Sequence, residues 1–277
     1  MNVLKVIIFY NPTKTDVRYI HDNIKHEFEK YSIEITDAVQ ACKDCFVEHA
    51  RDNDYFIVLG GDGTVLRTVP LAVAFNKPII GINMGKLGFL TAFSQNEIGK
   101  AAECISMKKL SFSERMLLEA DFNGTQYFCL NDLNVQRSTP DGTIDISVSY
   151  MDEPVYSFSG DGILVSTPTG STGYGLSAGG AILDPSIKAM ELIPLAAHGL
   201  NMRPLIFGPE KKLSIHINNA LNEKGFVLVD GNIVSSLKKG ESVHVRVSSK
   251  TLFLAQKEKY SFLELLNQKL AFGRRFE

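Results

Sequence analysis

No apolar run in the 277 residues approaches the roughly 18–20 residues that a membrane helix needs. The opening stretch MNVLKVIIFY is apolar only briefly before Asn11-Pro12. A secretory signal wants a longer apolar region and a small-residue cleavage site, so the expectation is a cytoplasmic protein. An excess of one charge is also missing. There are 29 basic and 31 acidic residues, a net charge of −2, and no electrostatic footprint for nucleic acid or an anionic membrane. That balance still allows one basic cleft. Cysteine is sparse, with four in all. Cys42 and Cys45 form a C-x-x-C with His49 four residues on, but zinc needs a second ligand pair, and Cys104 and Cys129 have no such spacing. Val39 to Arg51 reads as a helix on which positions 42, 45 and 49 share a face, so small buried thiols account for the pattern. Internal repeats and low-complexity linkers are lacking too.

What is present is ordinary globular composition, 44% hydrophobic and 22% charged, in a chain long enough for one large domain or two modest ones. The first hundred residues alternate strand and helix signals. Leu4–Tyr10, Tyr55–Leu59 and Pro78–Ile82 are continuous apolar strands, and Ser32–Thr36 is a shorter one. Asp16–Lys30, Thr64–Phe75 and Asn96–Lys108 have helical spacing, with Pro70 expected to kink or restart the second. Such strands imply a parallel sheet covered on both faces. From Phe112 the pattern turns to short alternating strands: Met116–Phe122, Gln126–Leu130, Thr143–Tyr150, Pro154–Phe158, Lys212–Asn218, Phe226–Val229, Ser242–Val247 and Thr251–Ala255. Asn123-Gly124, Asp141-Gly142 and Asp230-Gly231 are turn signals. A helix is expected over Pro185–Ala197, and another around Leu263, Leu266 and Leu270. The predicted architecture is an N-terminal parallel-sheet α/β domain (1–108), a mainly-β domain (109–255) and a C-terminal helix and tail (256–277).

Two motifs carry chemistry. Gly60-Gly61-Asp62-Gly63-Thr64 directly follows a strand and precedes a helix. Ligands of open α/β sheets bind at the carboxyl ends of strands, and glycines there let the backbone approach phosphates. An Asp among phosphates must accept a proton, hold a metal or position a hydroxyl. In residues 160–180, GDGILVSTPTGSTGYGLSAGG, a short apolar strand (Ile163 to Val165) leads into glycines and the hydroxyls of Ser166, Thr167, Thr169, Ser171 and Thr172, dense enough to offer many donors to ribose and phosphate oxygens. Two near-matches carry nothing. Gly173 to Ala178 fits G-x-G-x-x-A but opens no βαβ unit, and Gly81 to Lys86 is one residue short of a P-loop.

GGDGT at 60–64, Gly81-Ile82-Asn83-x-Gly85-x-Leu87-Gly88-Phe89-Leu90, Leu130-Asn131-Asp132 and the 166–172 stretch STPTGST together resemble the NAD kinase family in order and approximate spacing. GGDGT alone is shared with phosphofructokinases and diacylglycerol or sphingosine kinases; the STPTGST-x-Y-x-x-SAGG stretch is far more specific. The resemblance implies phosphorylation of the 2′-hydroxyl of the adenosine ribose of NAD, giving NADP. It implies Asp62 beside the acceptor hydroxyl and Gly63 at the phosphates. It puts Asn131 and Asp132 on the adenosine portion, and Asp161, Thr172, Tyr174 and Ser177 on the dinucleotide. The candidate nucleotide contacts also include Gly61, Thr64, Arg67, Thr169, Gly173, Gly175, Leu176 and Asn232. It further implies a divalent metal, Mg²⁺, carried with an ATP or polyphosphate donor, and a homo-oligomer, dimer or tetramer, in which a neighbouring subunit contributes to the site. Asp161, costly unless paired, looks to ligand or neighbour for its partner.

The chain departs from the family pattern at Asp132, where Glu is usual, at Gly173, where Ala is usual, at Ala196-Ala197-His198, where Cys-Pro-His is more usual, and at Pro70. A carboxylate is a poor base toward an alcohol, so Asp62 is expected to orient the hydroxyl and take its proton late, with most catalysis coming from positioning and charge neutralisation. Arg67 is either a phosphate cation or an exposed helix residue. The alternatives are a lipid or sugar kinase sharing GGDGT, and a non-catalytic NADP-binding sensor, which the intact Asp62 disfavours.

Overall fold

The structure is a computed structural model that describes residues 3–42, 47–86, 88–199, 201–210, 212–221, 224–256 and 261–272. It contains two compact units, Met1–Glu114 with Leu252–Glu277, and Arg115–Thr251.

In the first unit β1 (Leu4–Tyr10) leads through α1 (Val17–Tyr19), a π-helical turn (Ile20–Ile24) and α2 (Lys25–Glu29) to β2 (Ile33–Gln40). Then come β3 (Tyr55–Gly60), α3 (Asp62–Phe75), β4 (Ile79–Asn83), the two-residue β5 (Phe93–Ser94) and α4 (Ile98–Ser106). The strands are parallel in the order β2-β1-β3-β4. Their apolar runs are buried on both faces, as expected. Val6, Ile8, Ile57, Leu59, Ile80 and Ile82 pack with Ile24, Phe28, Ala101 and Ile105. The opposite face carries Phe9 and Phe56, whose ring centroids are 5.0 Å apart, and α3 packs against β1, β3 and β4. The sheet changes direction of growth between β1 and β3, so the loops after these two strands flank its crevice.

Two local expectations fail here. Helix α3 runs through Pro70 without ending; Pro70 is exposed, where a carbonyl that has lost its donor can turn to water. The helix read over Val39–Arg51 does not form as a unit. β2 extends to Gln40, and among the described residues that follow it Glu48–Asp52 forms a 3₁₀ turn. Cys45 lies outside the described residues, so the C-x-x-C reading falls partly outside them too; the His49 ring pairs with Asp37 at 3.0 Å.

The second unit holds the greater part of β6 (Ser111–Phe122), then β7 (Thr125–Cys129), β8 (Asp132–Arg137), β9 (Ile144–Tyr150), β10 (Glu153–Gly160) and β11 (Gly162–Ser166). It continues with α5 (Tyr174–Ser177), β12 (Met190–Leu195), β13 (Leu205–Phe207), β14 (Leu213–Ala220), β15 (Lys224–Val229), β16 (Asn232–Lys238) and most of β17 (Ser242–Gln256). One antiparallel sheet runs β13-β12-β11-β8-β15-β16, and β10-β9-β14-β17 form a second antiparallel array. Val135, Ile163, Val165 and Leu192 from the one meet Ile146, Val148, Ile215 and Val245 from the other in a single core. The end of β17 returns to the first unit, Leu254 beside Ile79, and α6 (Phe262–Leu270) follows behind a Ser261/Glu264 capping box.

The helix expected over Pro185–Ala197 is instead the strand β12. MELIPL is a short apolar run, and a strand buried on both faces is hard to tell from a buried helix by pattern alone. Pro194 is tolerated because β13 pairs only with Met190, Glu191 and Leu192, leaving the Pro position free of a ladder donor on that side. The two strands expected at 242–247 and 251–255 are one 15-residue strand, since no Gly or Pro interrupts Ser248-Ser249-Lys250.

Candidate active-site residues

In the first unit, Gly61 is the N-cap of α3 and Asp62 its first residue, at the carboxyl end of β3. The Asp62 carboxylate is held by the loop after β4. Oδ2 accepts the Phe89 amide at 2.8 Å and Oδ1 the Leu90 amide at 3.0 Å. This is possible only because residue 88 is glycine; a Cβ there would lie 1.9 Å from Asp62 Oδ1. Asn83 shapes the same loop, accepting the Gly85 amide at 2.7 Å and donating to Thr91 Oγ1 at 3.3 Å. Gly60 is required for a different reason, since a Cβ would fall 2.2 Å from Thr64 Oγ1. Thr64 is buried, its side chain packed over Gly60; Gly63 is exposed with open space around it. Arg67 is exposed on α3.

Sequence reasoning passed over a cation here. Lys14 Nζ lies 3.3 Å from where a Gly61 Cβ would be. The loop after β1 brings it there, because Asn11 folds the chain back: its Oδ1 accepts the Thr13 amide, and its carbonyl accepts the Lys14 and Thr15 amides at 3.0 Å. An Asn-Pro-x-Lys loop after a first parallel strand was the available signal.

In the second unit, Asp132 opens β8 and Asn131 directly precedes it. Asp132 is buried, and burial first, then Asp230, pushes its carboxyl up to about 7. Asp230 was read only as half of a turn. Its Oδ1 accepts the Asn131 and Asp132 amides at 2.7 and 3.1 Å, and its Oδ2 the Leu130 amide at 3.0 Å. Burial pushes this carboxyl up to about 6 against those three bonds, which pull it down. Behind it the Cys129 thiol is pushed up by burial, then by Asp230 and Asp132. Asn232 donates to the Asp230 carbonyl at 3.2 Å.

Much of the hydroxyl-rich stretch faces inward. Thr167 Oγ1 donates to the Leu130 carbonyl at 2.6 Å and accepts the Gly170 amide at 3.0 Å. Ser171 Oγ bonds the Pro168 carbonyl and accepts the Leu183 amide, and Ser166 Oγ donates to the Thr167 carbonyl. Ser166, Thr167 and Ser171 are fully buried, so these three staple the loop, contrary to the expectation that its hydroxyls serve ribose and phosphate. Gly170 is needed because a Cβ would lie 2.1 Å from the Asn131 carbonyl oxygen. Thr169 is buried, and Thr172 Oγ1 donates to its carbonyl at 3.3 Å. Tyr174 and Ser177 are exposed, Leu176 is half-buried and Gly175 is buried. A Cβ on Gly173 would meet the Gly170 carbonyl at 3.2 Å and Asn131 Nδ2 at 3.6 Å, so the family's usual Ala needs only a small adjustment. Asp161 pairs with Arg137 of its own chain at 2.8 Å, which supplies the counter-charge expected of ligand or neighbour.

Residues 6–109 match the family described as the ATP-NAD kinase N-terminal domain and residues 130–256 the ATP-NAD kinase C-terminal domain. The NAD kinase of Petrotoga mobilis is 42% identical over 276 residues, covering 99% of this chain and 100% of that protein. The chain belongs to the NAD kinase family. The NAD kinase of Sulfurimonas denitrificans is 31% identical over 281 residues, with 98% of each chain covered. The yeast NADH kinase solved with NADH superposes with a TM-score of 0.85 at 22% identity, covering 99% of this chain and 89% of that one. The Archaeoglobus fulgidus NAD kinase solved with ATP gives 0.75 at 24%, covering 92% and 95%. Both likenesses support an NAD kinase fold with an α/β N-terminal part and a mainly-β C-terminal part.

Proposed function

We infer that the chain transfers a phosphoryl group from ATP or polyphosphate to the 2′-hydroxyl of the adenosine ribose of NAD, giving NADP. Family membership sets the reaction. The observation that carries the assignment of roles is the Asp62 carboxylate, fixed by two loop amides at the carboxyl end of β3. Each of its oxygens accepts one N–H and keeps lone-pair capacity for a hydroxyl. Asp62 therefore orients the 2′-OH and takes its proton as the new O–P bond forms and the donor's bridging P–O bond breaks, late in a loose transition state. Gly61 and Gly63 let the donor phosphates approach, and Lys14, whose ammonium lies beside Gly61, neutralises their charge. In the second unit, Asn131 and Asp132 hold the adenosine part, and the exposed Tyr174 and Ser177 are free to meet the dinucleotide.

The divalent metal, Mg²⁺, enters with the donor. Among the described residues no three His, Cys, Asp or Glu side chains converge to cage an ion. We place the enzyme in the cytoplasm; no described helix is long and apolar enough to cross a membrane. We also propose a homo-oligomer, dimer or tetramer, as the family pattern implies; light scattering at assay concentration tests it, and a fully active monomer ends it. The lipid- or sugar-kinase and sensor alternatives lack support from the relatives. Purified protein given NAD, Mg²⁺ and each donor in turn should yield NADP, read by an NADP-specific dehydrogenase. No NADP with either donor overturns the reading.

A further inference from the structure

Leu130, Asn131 and Asp132 present three consecutive backbone N–H groups to one point. Such a nest attracts anions, and here its anion is built in, the Asp230 carboxylate, at 3.0, 2.7 and 3.1 Å. The connection is reciprocal, because the Asp230 amide donates to the Asp132 carbonyl at 3.0 Å. The remaining carbonyls of the segment are occupied as well: Leu130 by the Thr167 hydroxyl at 2.6 Å, Asn131 by the Thr167 amide at 2.8 Å. The backbone of 130–132 has its hydrogen bonds in hand, which leaves the half-buried Asn131 and the buried Asp132 side chains as the groups this segment can offer a ligand. Asp230 can do this because it holds a left-handed conformation, φ +47°, in the two-residue turn with Gly231, φ +77°, between β15 and β16. A hairpin needs turn residues of this kind but no carboxylate aimed at another strand.

We propose that Asp230 is a positioning residue for the acceptor nucleotide: by filling the amide nest of 130–132 it fixes the angle at which Asn131 and Asp132 meet the adenosine ribose, and it denies that nest to phosphate. The subsite is thereby committed to hydroxyl groups. The proposal rests on the assignment of Asn131 and Asp132 to the acceptor. The titratable groups that feel Asp230 are the Cys129 thiol from β7 and the Asp132 carboxyl from β8, and the Asn232 amide from β16 holds its backbone carbonyl. Burial holds Asp230 at about 6 and Asp132 at about 7, so protonation of Asp230, with loss of the full negative charge in the nest, falls within an assayable range.

The test combines kinetics and hydrogen exchange. Asp230→Asn puts an amide donor against backbone donors. KM for NAD should rise about tenfold or more while kcat at saturating NAD stays within about threefold, because Asp62 is untouched. In the wild type, KM for NAD should climb in two steps as pH falls, as Asp132 takes its proton at about 7 and Asp230 at about 6. Asp230→Asn should keep the Asp132 step alone, moved to lower pH because the Asp230 charge that raised it is gone. Should the variant melt without cooperativity, the wild type alone decides. The amides of Leu130, Asn131 and Asp132 should lose protection, relative to intrinsic exchange and to Asn134, between pH 7.5 and 5. A KM within twofold of wild type, a pH profile of KM in Asp230→Asn unchanged from wild type, or protection constant with pH overturns the proposal. NADP formation by the wild type is the control: its absence sinks the functional reading, whereas its presence beside an unaltered Asp230→Asn sinks this proposal alone.

Discussion

The turn at residues 60–64 and the loop at 166–180 are both rich in glycine and polar groups, yet they use them in opposite ways. In the first, a single carboxylate is anchored by neighbouring amides and glycines clear the space around it. In the second, most of the polarity is consumed internally: Ser166, Thr167 and Ser171 hold the loop against Leu130, Pro168 and Leu183, and the residues left at the surface are Tyr174, Ser177 and Gly179. Density of hydroxyls is therefore a poor guide to ligand contact. A buried hydroxyl with two backbone partners is part of the fold, whatever the loop is for.

If the first turn is catalytic, Asp62→Asn should lower turnover by about 10²-fold or more with NAD affinity largely kept; near-normal turnover removes its role. Gly88→Ala should follow at about 10–10²-fold, the scale of a misplacement near 1 Å, because the added Cβ must displace the carboxylate it never replaces. An active Gly88→Ala enzyme would show that the 89–90 amides are dispensable. For the second loop the contrast predicts lost stability before lost chemistry. Thr167→Val strands the Leu130 carbonyl and the Gly170 amide, and should cost about 2 kcal/mol in urea unfolding. A variant of native stability with a raised KM would reverse the comparison. Asp132→Ala should weaken NAD binding by roughly 1–2 kcal/mol, measured by titration, with Asp132→Glu tolerated.

The smallest effect concerns Glu191 on β12. It is fully buried; Oε1 accepts the Ala181 amide at 2.6 Å, and Oε2 has no partner. Burial raises its carboxyl above the ordinary value, with the Ala181 bond opposing. A raised carboxyl contributes stability below its unfolded value and loses it as pH rises through the folded one. Glu191→Gln should therefore melt slightly higher than wild type above neutral pH and match it near pH 4. A gain independent of pH would place the cause elsewhere.

The α/β half was legible because Ile7, Ile57 and Ile80 lie in apolar runs closed by an Asn-Pro or a glycine turn, a pattern that permits little else. Asp62 was legible for the same reason, its strand-end position. The interior of β12 was not, because MELIPL shows neither clear alternation nor a helical stripe, and Glu191 within it gave no hint of full burial. Asp230 and Lys14 were missed for a different cause. Their partners lie about a hundred and about fifty residues away, and no local pattern records a carboxylate reaching from one hairpin to another strand. The Asp161–Arg137 pair escaped likewise.

The interlock of Asp62 with Gly88 has a consequence for anyone who would transplant this chemistry. The five-residue turn is not a portable unit. Grafted onto another parallel sheet, it would bring the carboxylate without the two amides that aim it, and with whatever Cβ the host carries opposite. The smallest part worth moving is the turn together with residues 83–91 from the adjacent strand end, kept in the register that pairs Gly60 with Asn83.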